Sequence, residues 1–234
     1  MDIERIPLLM KLNLIKVIAL ICLVAGALSS CAQGNKFDIS SGAYVDKKTG
    51  AEYQTASWEY EAISVTDEIY GEYNKKYDLS FYRVGGDISP EKILSDDVGT
   101  VYYTDKVTLP TLEDKDAIDY VDIYNEYDEK VGTTEDREAI NGLVDIFLDG
   151  HNIYESMYFT EAEPAVTLNR RIKFAYSDLG VYYVLAYVEY AEDFCYYDEN
   201  GVERYSNKVI FNRYTQTYVP VNDTLSSYYA EAEV

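Results

Sequence analysis

The chain has 234 residues, a formal net charge of −22, and 26 tyrosines against seven phenylalanines and one tryptophan. A surface this acidic repels nucleic acid and anionic headgroups, which removes polyanions from the candidate partners. A single histidine excludes histidine-rich zinc sites and two-histidine iron sites.

The amino-terminal region is read first. Lys11 and Lys16 lead into the apolar run Val17–Leu28, and Ser29-Ser30-Cys31-Ala32 follows. The run is shorter than the about 20 residues that span a bilayer. A basic start, a short apolar stretch and small residues at the cut are the layout of a secretory signal segment. The residues Leu28-Ser29-Ser30-Cys31 resemble the lipobox of bacterial lipoproteins. That resemblance covers about the first 32 residues. It implies cleavage before Cys31, a diacylglyceryl thioether on its sulfur, and a mature protein tethered to a membrane outside the cytoplasm. Met1–Leu9 contains Asp2 and Glu4, and Met10-Lys11 would open a more typical leader. Residues 1–30 are therefore expected to be a cleaved signal peptide, 31–42 a lipid-anchored tether, and 43–234 a single globular β-rich domain. Loss of the leader, with its three basic and two acidic residues, leaves a charge of −23. Cys22 goes with the leader and Cys31 is acylated, so Cys195 is the one remaining thiol and no intramolecular disulfide forms.

Beyond the tether, Tyr44–Tyr53 reads as a hairpin, with Asp46 opening the turn and Gly50 supplying positive φ. Trp58–Val65, Leu79–Val84, Val101–Thr104 and Ile118–Tyr124 are predicted strands. Ser89-Pro90-Glu91 is a candidate start for a short helix through Ile93-Leu94. The strongest helix signal covers about 134–149: Thr133 is the expected cap, Asp136 occupies the capping-box position, Ile140, Leu143, Val144, Phe147 and Leu148 form the apolar stripe, and Gly150 ends it. Leu168–Tyr176 alternates as a strand with one buried face. Val181–Tyr190 is apolar on both faces, which predicts a central strand covered on both sides. Tyr197–Tyr205, turning at Asn200-Gly201, is a second hairpin, and Asn212–Tyr218 a third. Val209–Phe211 and Tyr218–Val221 are short strands, and Asp223 or Thr224 a cap for a last turn. The fold class is α+β: a mostly antiparallel sheet with one main helix packed on it.

Function is less legible. His151, just past the helix end, is placed to meet the last helical carbonyls rather than to serve a nucleophile, and no Gly-x-Ser-x-Gly elbow accompanies it. There is no dinucleotide fingerprint and no Walker loop. Carboxylate pairs suited to glycoside hydrolysis are permitted by the abundance of acids and not singled out by it. The densest run, Glu113–Glu129, departs from the EF-hand pattern because Asp119 stands where glycine is required; calcium binding and a solvated strand face both remain open for it. No cofactor and no metal site is expected. Neighbours on a strand point to opposite faces, so Tyr102-Tyr103, Tyr182-Tyr183 and Tyr196-Tyr197 should each expose a ring. Tyr102, Tyr103, Tyr196 and Tyr197 are the candidate binding residues, for a protein or glycan ligand. The expected function is a non-catalytic binding or interaction module held at the cell surface by lipidated Cys31. The alternatives are a carboxylate-using extracellular hydrolase and an accessory lipoprotein of a transport system.

Overall fold

The computed structural model describes residues 34–73, 78–149, 164–198, 200–212, 215 and 217–221. The first half supplies β1 (Asn35–Ser40), β2 (Ala43–Asp46), β3 (Glu52–Thr55), β4 (Tyr60–Ala62), β5 (Val65–Tyr73), β6 (Leu79–Val84), β7 (Ile93–Ser95) and β8 (Val101–Tyr103). The second half supplies β9 (Tyr120–Tyr124), β10 (Lys130–Thr134), helix α1 (Arg137–Asp149), β11 (Val166–Tyr176), β12 (Val181–Tyr197), β13 (Glu203–Asn212) and β14 (Thr217–Pro220). The fold is thus mostly β, with one α-helix among the described residues.

Seven strands close into a small barrel in the order β1-β2-β3-β8-β7-β6-β5, where β5 returns to β1. Side chains alternate across each strand, so one set fills the interior. That filling is aromatic: Phe37, Tyr53, Tyr73, Phe81 and Tyr102 pack with Leu94. The ring centroids of Phe37 and Phe81 are 4.3 Å apart, and Tyr44 meets Phe81 and Tyr102 edge-on at 5.1 and 5.5 Å. Closure is parallel and brief, through Asn35↔Gly71 and Lys36↔Glu72. It requires a glycine, because a Cβ on Gly71 would come within 2.4 Å of the Phe37 ring and 2.7 Å of the Asn35 carbonyl oxygen.

The second sheet runs β10-β9-β11-β12-β13-β14 and is antiparallel throughout, with β4 pairing beside the start of β12. One face of it shares a core with the barrel and the helix. Val84, Ile93 and Val101 point outward from the barrel and join Val121, Ile172, Phe174, Val181, Leu185 and Tyr187 of the sheet. Ile140, Leu143, Val144 and Phe147 of α1 enter the same core. As expected for a central strand, β12 lies between β11 on one side and β4 and β13 on the other, and it is buried on both faces from Val181 to Val188 except at half-buried Val184.

Several expectations are revised. Residues 35–40 of the expected tether are a barrel strand with Phe37 in the core. The proposed helix at Ser89–Leu94 is a turn followed by β7, whose residues are fully buried. The main helix starts at Arg137 rather than near 134. Asp136 caps it, its Oδ1 accepting from the Glu138 and Ala139 amides at 2.8 and 3.3 Å, while Thr133 belongs to β10. Leu148 is exposed and leaves the stripe. Trp58–Val65 divides into β4 and the start of β5. Residues 1–33 with Cys31, Gly150, His151, Asp223 and Thr224 lie outside the described residues.

Tyrosine burial carries a pH consequence. Burial pushes the phenols of Tyr53, Tyr102, Tyr176, Tyr182 and Tyr183 well above the ordinary tyrosine range and that of Tyr60 to about 12. A folded-state value raised above the unfolded one gives stability that is complete below about pH 10 and lost as pH rises through the folded values. The chain should therefore unfold cooperatively in alkali, with tyrosinate absorbance and loss of near-ultraviolet circular dichroism moving together above about pH 12. Ionisation of most tyrosines near pH 10 with the dichroism intact would contradict this burial pattern.

Candidate functional site

The ribbon made by β12 and β13 is the most organised exposed feature. β12 spans 17 residues, about 55 Å at 3.3 Å per residue. It pairs with β11 only as far as Tyr190, shifts register between Glu189 and Phe194, and pairs with β13 again from Phe194 to Tyr197. The turn beyond it is locked by Asp198. Its Oδ1 accepts from the Asn200 and Val202 amides at 3.0 and 2.9 Å, and its Oδ2 from Arg204 Nε at 3.0 Å. The Val202 amide, above all, holds the Asp198 carboxyl below the usual range, and Arg204 adds to that. Gly201 takes φ +71° and donates to the Asp198 carbonyl at 2.8 Å, a conformation that suits glycine.

The ribbon has two unlike faces. Phe194 and Tyr196 point into a satellite core with Val188, Tyr190, Val209 and Phe211. Cys195, Tyr197, Glu203 and Tyr205 share the other face, because Cys195 pairs with Tyr205 and Tyr197 with Glu203. Tyr197, Tyr205 and Val202 at the tip are 44%, 60% and 46% exposed. The Tyr205 hydroxyl donates to Glu203, which raises it to about 12. Burial and then Glu203 raise the Cys195 thiol, so it stays protonated and poorly nucleophilic.

A second polar feature lies on the sheet face away from α1. Lys173 is buried there, its Nζ 3.0 Å from Glu61 Oε1 and 3.8 Å from Asp128 Oδ1, and 4.0 Å from the centre of the Tyr124 ring. Arg171 donates to Glu61 and, at 2.7 Å, to Asp128. Asp122, 2% exposed, accepts from Thr133 Oγ1 at 2.6 Å and from the Tyr182 hydroxyl at 2.8 Å, and Lys130 lies 3.5 Å away. Three cations face three carboxylates. Burial, reinforced by hydrogen bonds with Tyr120 and Asp122, raises the Tyr182 phenol. Balanced in this way, the cluster ties β4, β9, β10 and β11 together.

The other buried aspartates accept several hydrogen bonds as well. Asp46 accepts from Asn35, the Lys48 amide, Thr49 and Tyr70 at 2.8–3.1 Å. Asp96 accepts from the Val98 and Thr100 amides and from Tyr102. Free carboxylates occur instead in an open cleft of about 480 Å³ lined by Thr49–Glu52, Gln54, Glu91 and Thr104–Lys106. Glu91 there pairs with Lys106 at 3.0 Å.

The tyrosine doublets behave differently from one another. Tyr102 is inside the barrel, so it is removed from the candidate surface; Tyr103 is half-buried, with its hydroxyl 3.4 Å from Gln54 at the cleft. Both Tyr182 and Tyr183 are buried, because both faces of β12 are covered there. Tyr196 is half-buried in the satellite core, and Tyr197 alone of the four candidates is exposed. Tyr205 and Val202 complete the tip and were not anticipated. Cross-strand pairing through the recognised Asn200-Gly201 turn is the signal that points to them. The acidic run 113–129 is dispersed rather than convergent: Asp114 caps a turn at Thr111, Asp119 accepts from the Ser177 amide, Asp122 is buried instead of solvated, and Asp128 binds Arg171. Among the described residues no three His, Cys, Asp or Glu side chains gather as a metal site would require. No protein-family model, curated protein or solved structure matches the chain.

Removing one partner from a buried ion cluster leaves the others uncompensated. Lys173→Met should lower stability by about 3 kcal/mol, whereas Lys115→Met, which breaks the exposed pair with Asp145, should cost less than about 1 kcal/mol. Urea midpoints at unchanged slope measure both. Equal effects would mean that the Lys173 cluster is no more than a surface pair.

Proposed function

We propose that the chain is a lipoprotein of the bacterial cell surface, anchored through Cys31, that acts as a non-catalytic interaction module. The observation that carries the reading is the exposed Tyr197–Val202–Tyr205 tip on a ribbon whose turn is fixed by Asp198. Rigid tyrosines give broad apolar contact area and a hydrogen-bonding edge at small entropic cost, which suits neutral sugars and protein surfaces. The acidic field adds a preference for basic protein patches, and such binding weakens as salt rises.

The hydrolase reading has one feature in its favour, the cleft with Glu52 and Asp105. Its carboxylates stand on exposed, open walls, whereas a glycosidase acid is held in an apolar pocket that keeps it protonated. Asp46, Asp96 and Asp122 are engaged by tyrosine hydroxyls and by neighbouring amides or hydroxyls, which favours a structural role for them.

Two outcomes test the proposal. Tyr197→Ala with Tyr205→Ala should abolish capture of ligands from a glycan and basic-peptide array while shifting the melting temperature little, since both rings are exposed. Retained binding, or turnover of a hydrolase substrate panel that vanishes in Glu52→Gln with Asp105→Asn, would favour the enzyme. Separately, Cys31→Ala should leave the protein unprocessed or free of membranes, because stable anchoring needs two acyl chains. An intact leader on the wild-type chain, seen by mass spectrometry, would overturn the anchor.

A further inference from the structure

We infer that the Asn35 end of the barrel rests against the phospholipid headgroups of the anchoring membrane, with the Lys47–Gly50 turn as the contacting element. The inference rests on the lipoprotein reading of Cys31 and deepens it. β1 begins at Asn35, so only Ala32, Gln33 and Gly34 separate the acylated cysteine from a strand hydrogen-bonded on both sides. Four Cα steps reach at most about 14 Å. A tether of this length holds one end of a folded barrel at the headgroup layer and gives it no freedom to turn over.

The strand registers identify which groups lie at that end. Lys47 N donates to the Lys36 carbonyl at 2.9 Å, and Asn35 Nδ2 donates to Asp46 at 2.8 Å, so the β2–β3 turn adjoins the point where the chain enters. β3 leaves this end at Glu52 and reaches the other at Thr55, where Ala56 N donates to the Val101 carbonyl. The entry end presents Lys36, Lys47 and Lys48, all exposed. Lys36 pairs with Glu72 and Lys47 with Asp38 at the surface, while Lys48 projects from the turn itself. Two of these three lysines are paired with acids and Glu52 lies just past the turn, so the length of the tether, not an excess of positive charge, is what selects this end. Trp58, the only tryptophan and 91% exposed, follows Thr55 at the opposite end. The same geometry separates the ribbon tip from the membrane contact: β12 starts beside Gly180, packed on Val84 and Gly85 of the entry end, and its tip lies about 50 Å along the strand.

The test uses the full lipidated protein in phospholipid vesicles carrying a headgroup nitroxide. Lys48→Cys, in a Cys195→Ser background, is labelled with a fluorophore, and Trp58 serves as the internal reference. Mass spectrometry of Cys31 confirms the acylation. The label at position 48 should be quenched several-fold more than Trp58. Insertion of a Gly/Ser linker of about 20 residues after Gly34 should abolish that difference while leaving the protein on the vesicles. Equal quenching at both positions in the acylated protein, or quenching unchanged by the linker, overturns the orientation and leaves the anchor standing. Absence of acyl mass and of vesicle binding overturns the anchor and the orientation together.

Discussion

A buried phenol has to give its hydroxyl proton to an acceptor, because an unpaired polar group in the interior costs on the order of 1–3 kcal/mol. In a chain with 26 tyrosines that demand shapes the whole structure. Tyr53 donates to the Pro90 carbonyl, Tyr60 to Pro110 and Tyr176 to Thr111, which draws three connecting segments onto the strands. Tyr70, Tyr102 and Tyr182 donate to Asp46, Asp96 and Asp122. The tyrosines thus account for the buried carboxylates, and each carboxylate in turn orders a turn or a strand pair through its remaining lone pairs. A core of phenylalanine would bury more apolar area per ring and position none of these loops.

The same economy separates structure from function. Several acidic residues that look like a reservoir for catalysis or calcium act instead as acceptors: Asp114, Asp119, Asp128 and Asp198 each hold a backbone amide or an arginine. At the ribbon tip, by contrast, two rings and a valine stand exposed.

Elements with a strong local pattern were legible in the sequence. β12 announced itself because both of its faces are apolar, and the two glycine-containing hairpins because their turns need positive φ. The helix was visible from its stripe, but its expected cap was misplaced: Thr133 gives its hydroxyl to Asp122 within β10, and Asp136 caps instead. β1 was hidden since only Phe37 of its six residues is buried. β5 was hidden since Asp67, Glu68 and Ile69 are exposed while its register shifts twice. The Lys173–Glu61 pair joins residues 112 apart, a distance over which no spacing rule operates. A tyrosine doublet shows which rings face opposite ways and not which face is covered, so Tyr102 is buried, Tyr103 and Tyr196 are half-buried, and Tyr197 is exposed.

The closed barrel also decides how the molecule would bear mechanical load. A pull from the amino-terminal side enters at Asn35 and runs along β1, whose four registered pairs with β2 and two with β5 lie across the line of force. Bonds loaded in this shearing direction share the tension and must fail together, unlike a strand peeled from its end one bond at a time. Gly71, by letting β5 approach Phe37 so closely, adds the second row of bonds that turns an edge strand into a clamped one.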